Sequence, residues 1–167
     1  MLELDWTFFA LAAPAVVFAG ISKGGFGSGA SFAGASLLSL VIDPGLALGV
    51  MLPLLMLIDA STLKPYWGKW DGPAAALLIL GAVPGVILGA VLYEMVEPDA
   101  FRVLIGTISI GFVAWQIAVA RGAVGRFERV LPLWFGVFVG VVAGFTSFVS
   151  HAGGPPAAVY LLSKKIS

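Results

Sequence analysis

Gly20-Ile-Ser-Lys-Gly-Gly-Phe-Gly-Ser-Gly29 breaks the first hydrophobic segment of the chain, and Gly144-Phe-Thr-Ser-Phe-Val-Ser-His-Ala-Gly-Gly-Pro-Pro156 breaks the last one. The two stretches align without a gap at an offset of 124 positions, with six identities between residues 20–39 and 144–163. In membrane proteins, interruptions at matching places in two halves indicate the binding site of a transported solute. The pattern therefore predicts an internal repeat whose two breaks form such a site.

The composition indicates a membrane protein. The hydrophobic fraction is 60% and the charged fraction 11%, whereas globular proteins carry about 25% charged residues. The charges lie between apolar runs of roughly 20 residues, the length that crosses a hydrocarbon core. The formal net charge is zero and the chain has no cysteine. These counts exclude a soluble globular domain, disulfides and thiolate metal sites, and they indicate no nucleic-acid partner.

The hydrophobic runs predict an all-α polytopic membrane protein, an inverted-repeat transporter with broken or re-entrant helices. The runs cover residues 6–41, 44–63, 72–93, 100–120 and 131–163. A straight helix over the first run would be ~54 Å long and exceed the bilayer thickness. The first run must therefore fold back between Lys23 and Gly29, and the last run is expected to do the same. New helices are expected to begin beyond the bends, near Ala30 and Pro155.

The distribution of basic residues predicts how these hydrophobic runs are oriented across the membrane. With loop 64–71 in the cytoplasm, seven of the nine basic residues lie inside, Arg102 lies outside and Lys23 lies in the first break. This distribution agrees with the positive-inside rule. It predicts an external N-terminus and opposite orientations for the two broken units. The seven internal residues are Lys64, Lys69, Arg121, Arg126, Arg129, Lys164 and Lys165.

The repeat offset predicts how the chain divides. Residues 1–120 are expected to form the first repeat, a broken unit followed by three spans, and residues 121–167 the start of an inverted second repeat. The position equivalent to Asp43 in the second repeat is Ser167. Three spans equivalent to residues 44–120 would then follow, and we expect the sequence to be a fragment that lacks them.

The two breaks carry residue types that suit a small anion. Glycine permits positive φ and a close approach of ligand to backbone, and helix starts present free N–H groups to anions. The candidate substrate-binding residues of the first break are Ser22, Lys23, Gly24, Gly25, Gly27, Ser28, Gly29 and Ser31. Those of the second break are Thr146, Ser147, Ser150, His151, Gly153 and Gly154.

Three ionisable residues have both a functional and a structural interpretation. Lys23 lies within a hydrophobic segment, where charged residues are usually functional, although a shallow bend would let it snorkel to the interface. His151, the only histidine, is a candidate for proton coupling or a structural group. Asp59 is a second candidate for proton coupling, or else an interfacial partner of Lys64.

The same residue types also have a packing interpretation and an enzyme interpretation. Glycine and serine in membrane helices also serve close packing, and we assign the stripe Gly81-x-x-x-Gly85-x-x-x-Gly89 to packing alone. The segment Gly25-Phe-Gly-Ser-Gly29 does not fit the G-x-S-x-G nucleophile motif. One histidine without cysteine does not support a zinc site. We therefore expect no enzyme activity, no catalytic residue, no metal and no cofactor.

Taken together, the two breaks resemble the signature stretches of the TauE/SafE sulfite-exporter family of membrane permeases. The resemblance is carried by residues 20–29 and by Ser-His-Ala-Gly-Gly-Pro-Pro at 150–156, and the order of spans is similar. It implies a multi-pass permease of the bacterial inner membrane, with about eight spans in two halves, for sulfite, sulfonates or related organosulfur anions. The chain departs from the family pattern because the last spans of the second half are absent.

These observations lead to a functional prediction and its alternatives. We predict a permease that moves a small anion, such as sulfite, a sulfonate or a related organosulfur oxyanion, across the cytoplasmic membrane by alternating access. The anion and the lipid bilayer are its expected partners, and a homo-oligomer is compatible with the sequence. The alternatives are an anion-selective pore, and a non-transporting membrane subunit or assembly factor whose glycines serve packing. An intramembrane hydrolase that uses Ser150 is the weakest alternative.

Overall fold

The described part of the chain consists of helices and short connections between them. The computed structural model describes residues 10, 13–14, 17–18, 20–21, 31–64, 67–68, 70–122 and 131–163. Within these ranges there is no β-strand, and residues 10, 13–14, 17–18 and 20–21 are helical. Six further helices have described bounds. The helices are α1 (Ser31–Ser39), α2 (Pro44–Leu63), α3 (Gly72–Met95), α4 (Pro98–Ala120), α5 (Leu133–Ser150) and α6 (Gly154–Ser163). The predicted all-α class is confirmed, and α2, α3 and α4 lie close to the predicted spans.

Four of the described helices are long and apolar enough to cross a bilayer. These candidate spans are Pro44–Ser61, Gly72–Met95, Pro98–Ala120 and Leu133–Ser150. Acidic residues cap two of the helix starts: Asp43 Oδ1 accepts the N–H groups of Gly45 and Leu46 at 2.9 and 3.2 Å, and Asp71 Oδ1 accepts that of Ala74 at 3.1 Å. These carboxylates satisfy amide donors that a helix start leaves unpaired. The chain is a multi-pass membrane protein.

Four helix ends meet at one end of the bundle, which we call the Asp43 end. Arg102, in the first turn of α4, donates from Nε to the carbonyl of Ser39 at the end of α1, over 3.0 Å. Tyr93 near the end of α3 stacks edge-on against Phe101 of α4, with ring centroids 5.0 Å apart. Asp43 caps the start of α2 at the same end, where a Cβ atom on Gly45 would overlap the hydroxyl group of Tyr93. That this end faces away from the cytoplasm stays a prediction.

Gly81 and Gly85 of α3 pack against the backbone of α5, and Gly89 packs against the side chain of Phe148. A Cβ atom on Gly81 would overlap the carbonyl oxygen of Val137, and one on Gly85 would overlap that of Val141. The partner face of α5 is also glycine: a Cβ on Gly140 would lie 2.5 Å from the carbonyl oxygen of Leu78. The two helices run parallel. The assignment of the α3 glycine stripe to packing is confirmed.

Helix α6 folds back along α5. A Cβ on Gly153, just before α6, would lie 2.7 Å from the carbonyl oxygen of Ala143. Further along α6, the Tyr160 ring lies against Gly136 near the start of α5, in a buried cluster with Ala74. Helix α6 therefore runs away from the Asp43 end, whereas α1 runs towards it.

The described helices fall into two groups by their packing. The first group, α1, α2 and α4, shares a buried core. The second group, α3, α5 and α6, is joined by the glycine contacts and the Tyr160 cluster. Helix α3 therefore packs mainly across the repeat boundary that the sequence predicts. The core of the first group contains Ala35, Leu38, Ala47, Leu48, Met51, Leu55, Phe101 and Ile105, with Val149 of α5 against it.

Candidate functional site

The second break is a short non-helical link between α5 and α6. Helix α5 ends at Ser150, and His151 adopts a left-handed conformation with φ of 55°. The N–H of His151 donates to the carbonyl of Ser147 at 2.9 Å, and that of Ala152 to the carbonyl of Thr146 at 3.2 Å. These bonds satisfy carbonyls that a helix end leaves unpaired. The break is therefore an ordered cap with a defined geometry.

His151 links the second break to the first group of helices. Its Nε2 atom lies 3.3 Å from the carbonyl oxygen of Leu48 in α2. A carbonyl only accepts, so Nε2 carries the hydrogen in this contact. Among the described residues, His151 is also the only non-glycine residue with positive φ, a conformation that histidine adopts more readily than most residues. His151 therefore connects the second break to α2.

Two of the predicted hydroxyl donors are directed at backbone carbonyls. Thr146 Oγ1 lies 2.8 Å from the carbonyl oxygen of Val142, and Ser150, which is fully buried, donates to the carbonyl of Thr146 at 3.2 Å. Each hydroxyl has a single hydrogen. Either side chain would therefore have to rotate before it donated to an anion. Ser147 is half-buried, close to Gly153.

The start of α6 offers fewer amide donors than the sequence analysis expected. The helix begins Gly154-Pro155-Pro156, and proline has no N–H group. Two of the four amides that a helix start normally leaves unpaired are therefore missing. The amides of Gly153 and Gly154 remain as donors at the break. Gly153 also packs closely against α5, where a Cβ atom would lie 2.7 Å from the carbonyl oxygen of Ala143.

The described edge of the first break lies beside the second break. Ala33 of α1 and Ile108 of α4 pack against a buried cluster formed by Phe112 and Ala152. Ala33 is only two residues beyond Ser31, where α1 begins. Ala152 is 4% exposed and belongs to the link between α5 and α6. The start of α1 and the second break thus share one cluster, although they are more than a hundred residues apart in sequence.

Two serines near this cluster were missed by the sequence analysis. Ser36 of α1 and Ser109 of α4 are joined by a hydrogen bond between their hydroxyl oxygens, 2.8 Å long. Each lies three residues from a member of the cluster, Ala33 or Phe112. Each of these serines is visible in the sequence as a polar residue within an apolar helix. The pairing of these two serines follows only from the packing of α1 on α4.

A cavity of about 320 Å³ adjoins the second break. It lies between α4 on one side and α5, the break and α6 on the other. Its described lining is almost wholly apolar. The lining residues are Ile108, Phe112, Trp115, Phe135, Val139, Thr146, Ala152, Pro155, Pro156 and Val159.

The remaining candidate residues are Asp59 and the residues of the first break. Asp59 is exposed on α2, one turn before the helix ends at Leu63. Within the described ranges, no group of three or more His, Cys, Asp or Glu residues is placed to hold a metal ion. The candidates that lie outside the described residues are Ser22, Lys23, Gly24, Gly25, Gly27, Ser28 and Gly29. Their part in an anion site stays a prediction.

The conformation of His151 leads to a prediction about stability. His151→Ala should lower the thermal unfolding midpoint more than His151→Gly. Both changes remove the contact with Leu48, but only alanine is strained in the left-handed region, by about 1–2 kcal/mol. Thermal unfolding of the purified protein in detergent measures the difference. Equal midpoints for the two variants would show that residue 151 is not held at positive φ.

Comparison with known proteins gives a family match. The family model described as Sulfite exporter TauE/SafE matches residues 12–167. This range contains both glycine-rich breaks and all six described helices. The search of curated proteins and the search of solved structures found no match.

Proposed function

Because the chain belongs to the sulfite exporter TauE/SafE family, we propose that it is a permease for a small anion: sulfite, a sulfonate or a related organosulfur oxyanion. The anion crosses the bacterial inner membrane by alternating access. The observation that carries this proposal is the shared cluster of Ala33 and Ala152, because it brings the start of α1 to the second break. A transport site formed by two interrupted segments needs this proximity.

The matching ends of α1 and α6 support an inverted repeat. The helices end at Ser39 and Ser163, which are 124 positions apart, the offset of the sequence repeat. Ser39 donates to the carbonyl of Ser36 at 2.8 Å, and Ser163 donates to that of Tyr160 at 2.7 Å. Both serines are buried. Equivalent contacts on helices of opposite direction are what two inverted copies of one unit would have.

The packing groups suggest which parts move. Alternating access moves one helical group against another around a fixed site. The backbone contacts of α3 with α5 leave no room for sliding, so these helices move together with α6. The boundary between this second group and α1, α2 and α4 contains the Ala152 cluster and the contact of His151 with Leu48. We therefore place the moving boundary between the two packing groups and not at residue 120.

The proposed binding mode combines a charge with a few amides. An anion buried in an apolar medium must be paired or hydrogen-bonded. Lys23 supplies the positive charge, and the amides of Gly153 and Gly154 supply donors at the second break. Ser147 adds a hydroxyl beside them. The other hydroxyls, on Thr146 and Ser150, join only after rotating away from the helix carbonyls that they now contact.

Flux measurements on the full chain test this function. In proteoliposomes, uptake of labelled sulfite or methanesulfonate should saturate, and unlabelled anion inside the vesicles should accelerate it. Uptake saturates because a carrier has a limited number of binding sites. Internal anion accelerates uptake because a carrier with anion bound returns to the outside faster than an empty one. Single-channel currents, or uptake that neither saturates nor shows exchange, would favour an anion-selective pore and contradict the carrier mechanism. Absence of both anion binding and flux would favour a non-transporting subunit.

A further inference from the structure

The connection between α2 and α3 carries two exposed tryptophans. Trp67 and Trp70 are 70% and 52% exposed, and their ring centroids lie 5.6 Å apart. The N–H of Trp67 donates to the carbonyl of Lys64 at 3.3 Å, and Gly68 has a φ of 77°. The chain therefore turns sharply here, and the two indole rings pack on each other at the surface. We call Lys64, Trp67, Gly68 and Trp70 the tryptophan turn.

The position of the tryptophan turn is typical of a lipid interface. An indole ring is large and apolar but has one N–H donor, and tryptophan is enriched where the hydrocarbon of a membrane meets the headgroups. The turn lies between the candidate spans Pro44–Ser61 and Gly72–Met95. Because both spans are apolar enough for the hydrocarbon core, the turn that joins them lies at one of its boundaries.

The described tryptophans lie away from the Asp43 end of the bundle. Helices α2 and α4 start at the Asp43 end, whereas α3 and the parallel α5 run towards it. The tryptophan turn and the start of α5 therefore lie at the opposite end, where Trp134 is 68% exposed. None of the described tryptophans lies at the Asp43 end. That end instead carries the exposed acidic residues Glu94, Glu97 and Asp99.

Positive charge accompanies the tryptophans at this opposite end. Lys64 and Arg121, the C-cap residues of α2 and α4, are both exposed there. By sequence, seven basic residues and three acidic ones (Asp59, Asp71 and Glu128) belong to this end, so its net charge is positive. The carboxylate of Asp71 is moreover engaged in capping α3. A basic residue beside exposed indole rings complements the phosphate and the glycerol region of an anionic lipid.

We propose that the tryptophan turn is a binding surface for anionic phospholipid. The indole rings of Trp67 and Trp70 lie at the level of the glycerol groups, and the ammonium group of Lys64 pairs with a headgroup phosphate. The turn joins α2 of the first packing group to α3 of the second, so the contact fixes the depth of both helices in the membrane. This surface does not depend on which solute the chain transports.

A fluorescent probe beside the turn tests this surface. The chain has no cysteine, and a Cβ atom on Gly72 would meet no atom within 4 Å, so Gly72→Cys carries the probe without disturbing the packing. The labelled full chain would be placed in phosphatidylcholine vesicles that contain a nitroxide lipid, either phosphatidylglycerol or phosphatidylcholine. The phosphatidylglycerol should quench the probe at a concentration at least about fivefold lower, the preference that one basic residue supplies. Salt at about 1 M should remove this preference by screening.

Variants of the turn separate the charge from the indole rings. Lys64→Gln should lower the preference for phosphatidylglycerol by about fivefold, whereas Lys64→Arg keeps the charge and should keep the preference. Trp67→Ala with Trp70→Ala should weaken quenching by both lipids and strengthen quenching by acrylamide in the water. Trp67→Tyr with Trp70→Tyr should restore the wild-type pattern, because tyrosine shares the interfacial preference of tryptophan.

A probe in the middle of a span provides the control. A Cβ on Gly106 of α4 also meets no atom within 4 Å, and quenching at Gly106→Cys should not respond to the variants of the turn. Equal quenching of the Gly72 probe by the two nitroxide lipids, or equal responses of both probes, would contradict the inference. A Gly72 probe that acrylamide quenches and neither lipid reaches would place the turn in water, as a surface for a soluble protein, and would also overturn it.

Discussion

Lys23→Ala is expected to reduce anion flux to the background of empty vesicles. Lys23 is the basic residue of the first break and lies in a segment of otherwise apolar character. Without its charge, an anion at the breaks would be buried unpaired, which is prohibitive in an apolar medium. Flux of labelled methanesulfonate into proteoliposomes measures the effect, at equal amounts of reconstituted protein.

A lysine outside the breaks provides the control for this change. Lys64 is exposed at the end of α2, and Lys64→Ala should retain wild-type flux. Wild-type flux in Lys23→Ala would remove that lysine from the binding site. If Lys64→Ala lost as much flux as Lys23→Ala, the effect would come from the change in net charge or from poor membrane insertion of the protein, and not from the first break.

Gly85→Ala is expected to lower the free energy of unfolding by about 1–3 kcal/mol. The added Cβ would overlap the carbonyl oxygen of Val141 and lie 2.9 Å from the backbone nitrogen of Phe145. Backbone atoms cannot rotate out of the way as a side chain does. Helices α3 and α5 must therefore separate along their glycine contact. The thermal unfolding midpoint in detergent measures the loss.

A glycine on another span provides a matched control. A Cβ on Gly106 of α4 would meet no atom within 4 Å. Gly106→Ala should therefore leave stability unchanged or raise it by up to about 1 kcal/mol, since alanine favours the helix more than glycine does. Similar midpoints for Gly85→Ala and Gly106→Ala would show that α3 and α5 do not pack through their backbones.

Local signals predicted the spans and one side of the helix packing. The apolar run of residues 44–63 predicted a span, and α2 covers the same residues. The spacing of Gly81, Gly85 and Gly89 predicted a packing face. Its partner on α5 was not predicted, because the contact of two distant helices leaves no local pattern. Gly144 belongs to the predicted second break. In the structure it lies within α5 and packs against the backbone of Ala82 in α3.

The sequence identified the chemical groups of the second break but not their directions. Thr146 and Ser150 are hydroxyl donors, yet each donates to a carbonyl four residues earlier. Serine and threonine in helices commonly form this contact, so their residue types alone do not make them ligands. The loss of amide donors at Pro155 and Pro156 was readable from the sequence. The apolar cavity beside them required the packing of α4 on α5 and α6.

Cysteine cross-linking of the two breaks tests the central claim most directly. The chain contains no cysteine, so Ala33→Cys with Ala152→Cys leaves these two thiols alone in the protein. With a short dithiol-reactive reagent in native membranes, an intramolecular cross-link between them is predicted, because both positions belong to one cluster. The control pair is Ala33→Cys with Ala120→Cys. Ala120 lies about 12 Å along α4 from the cluster residue Phe112, so this pair should not cross-link. Absence of the first cross-link, or equal yields from both pairs, would contradict the account.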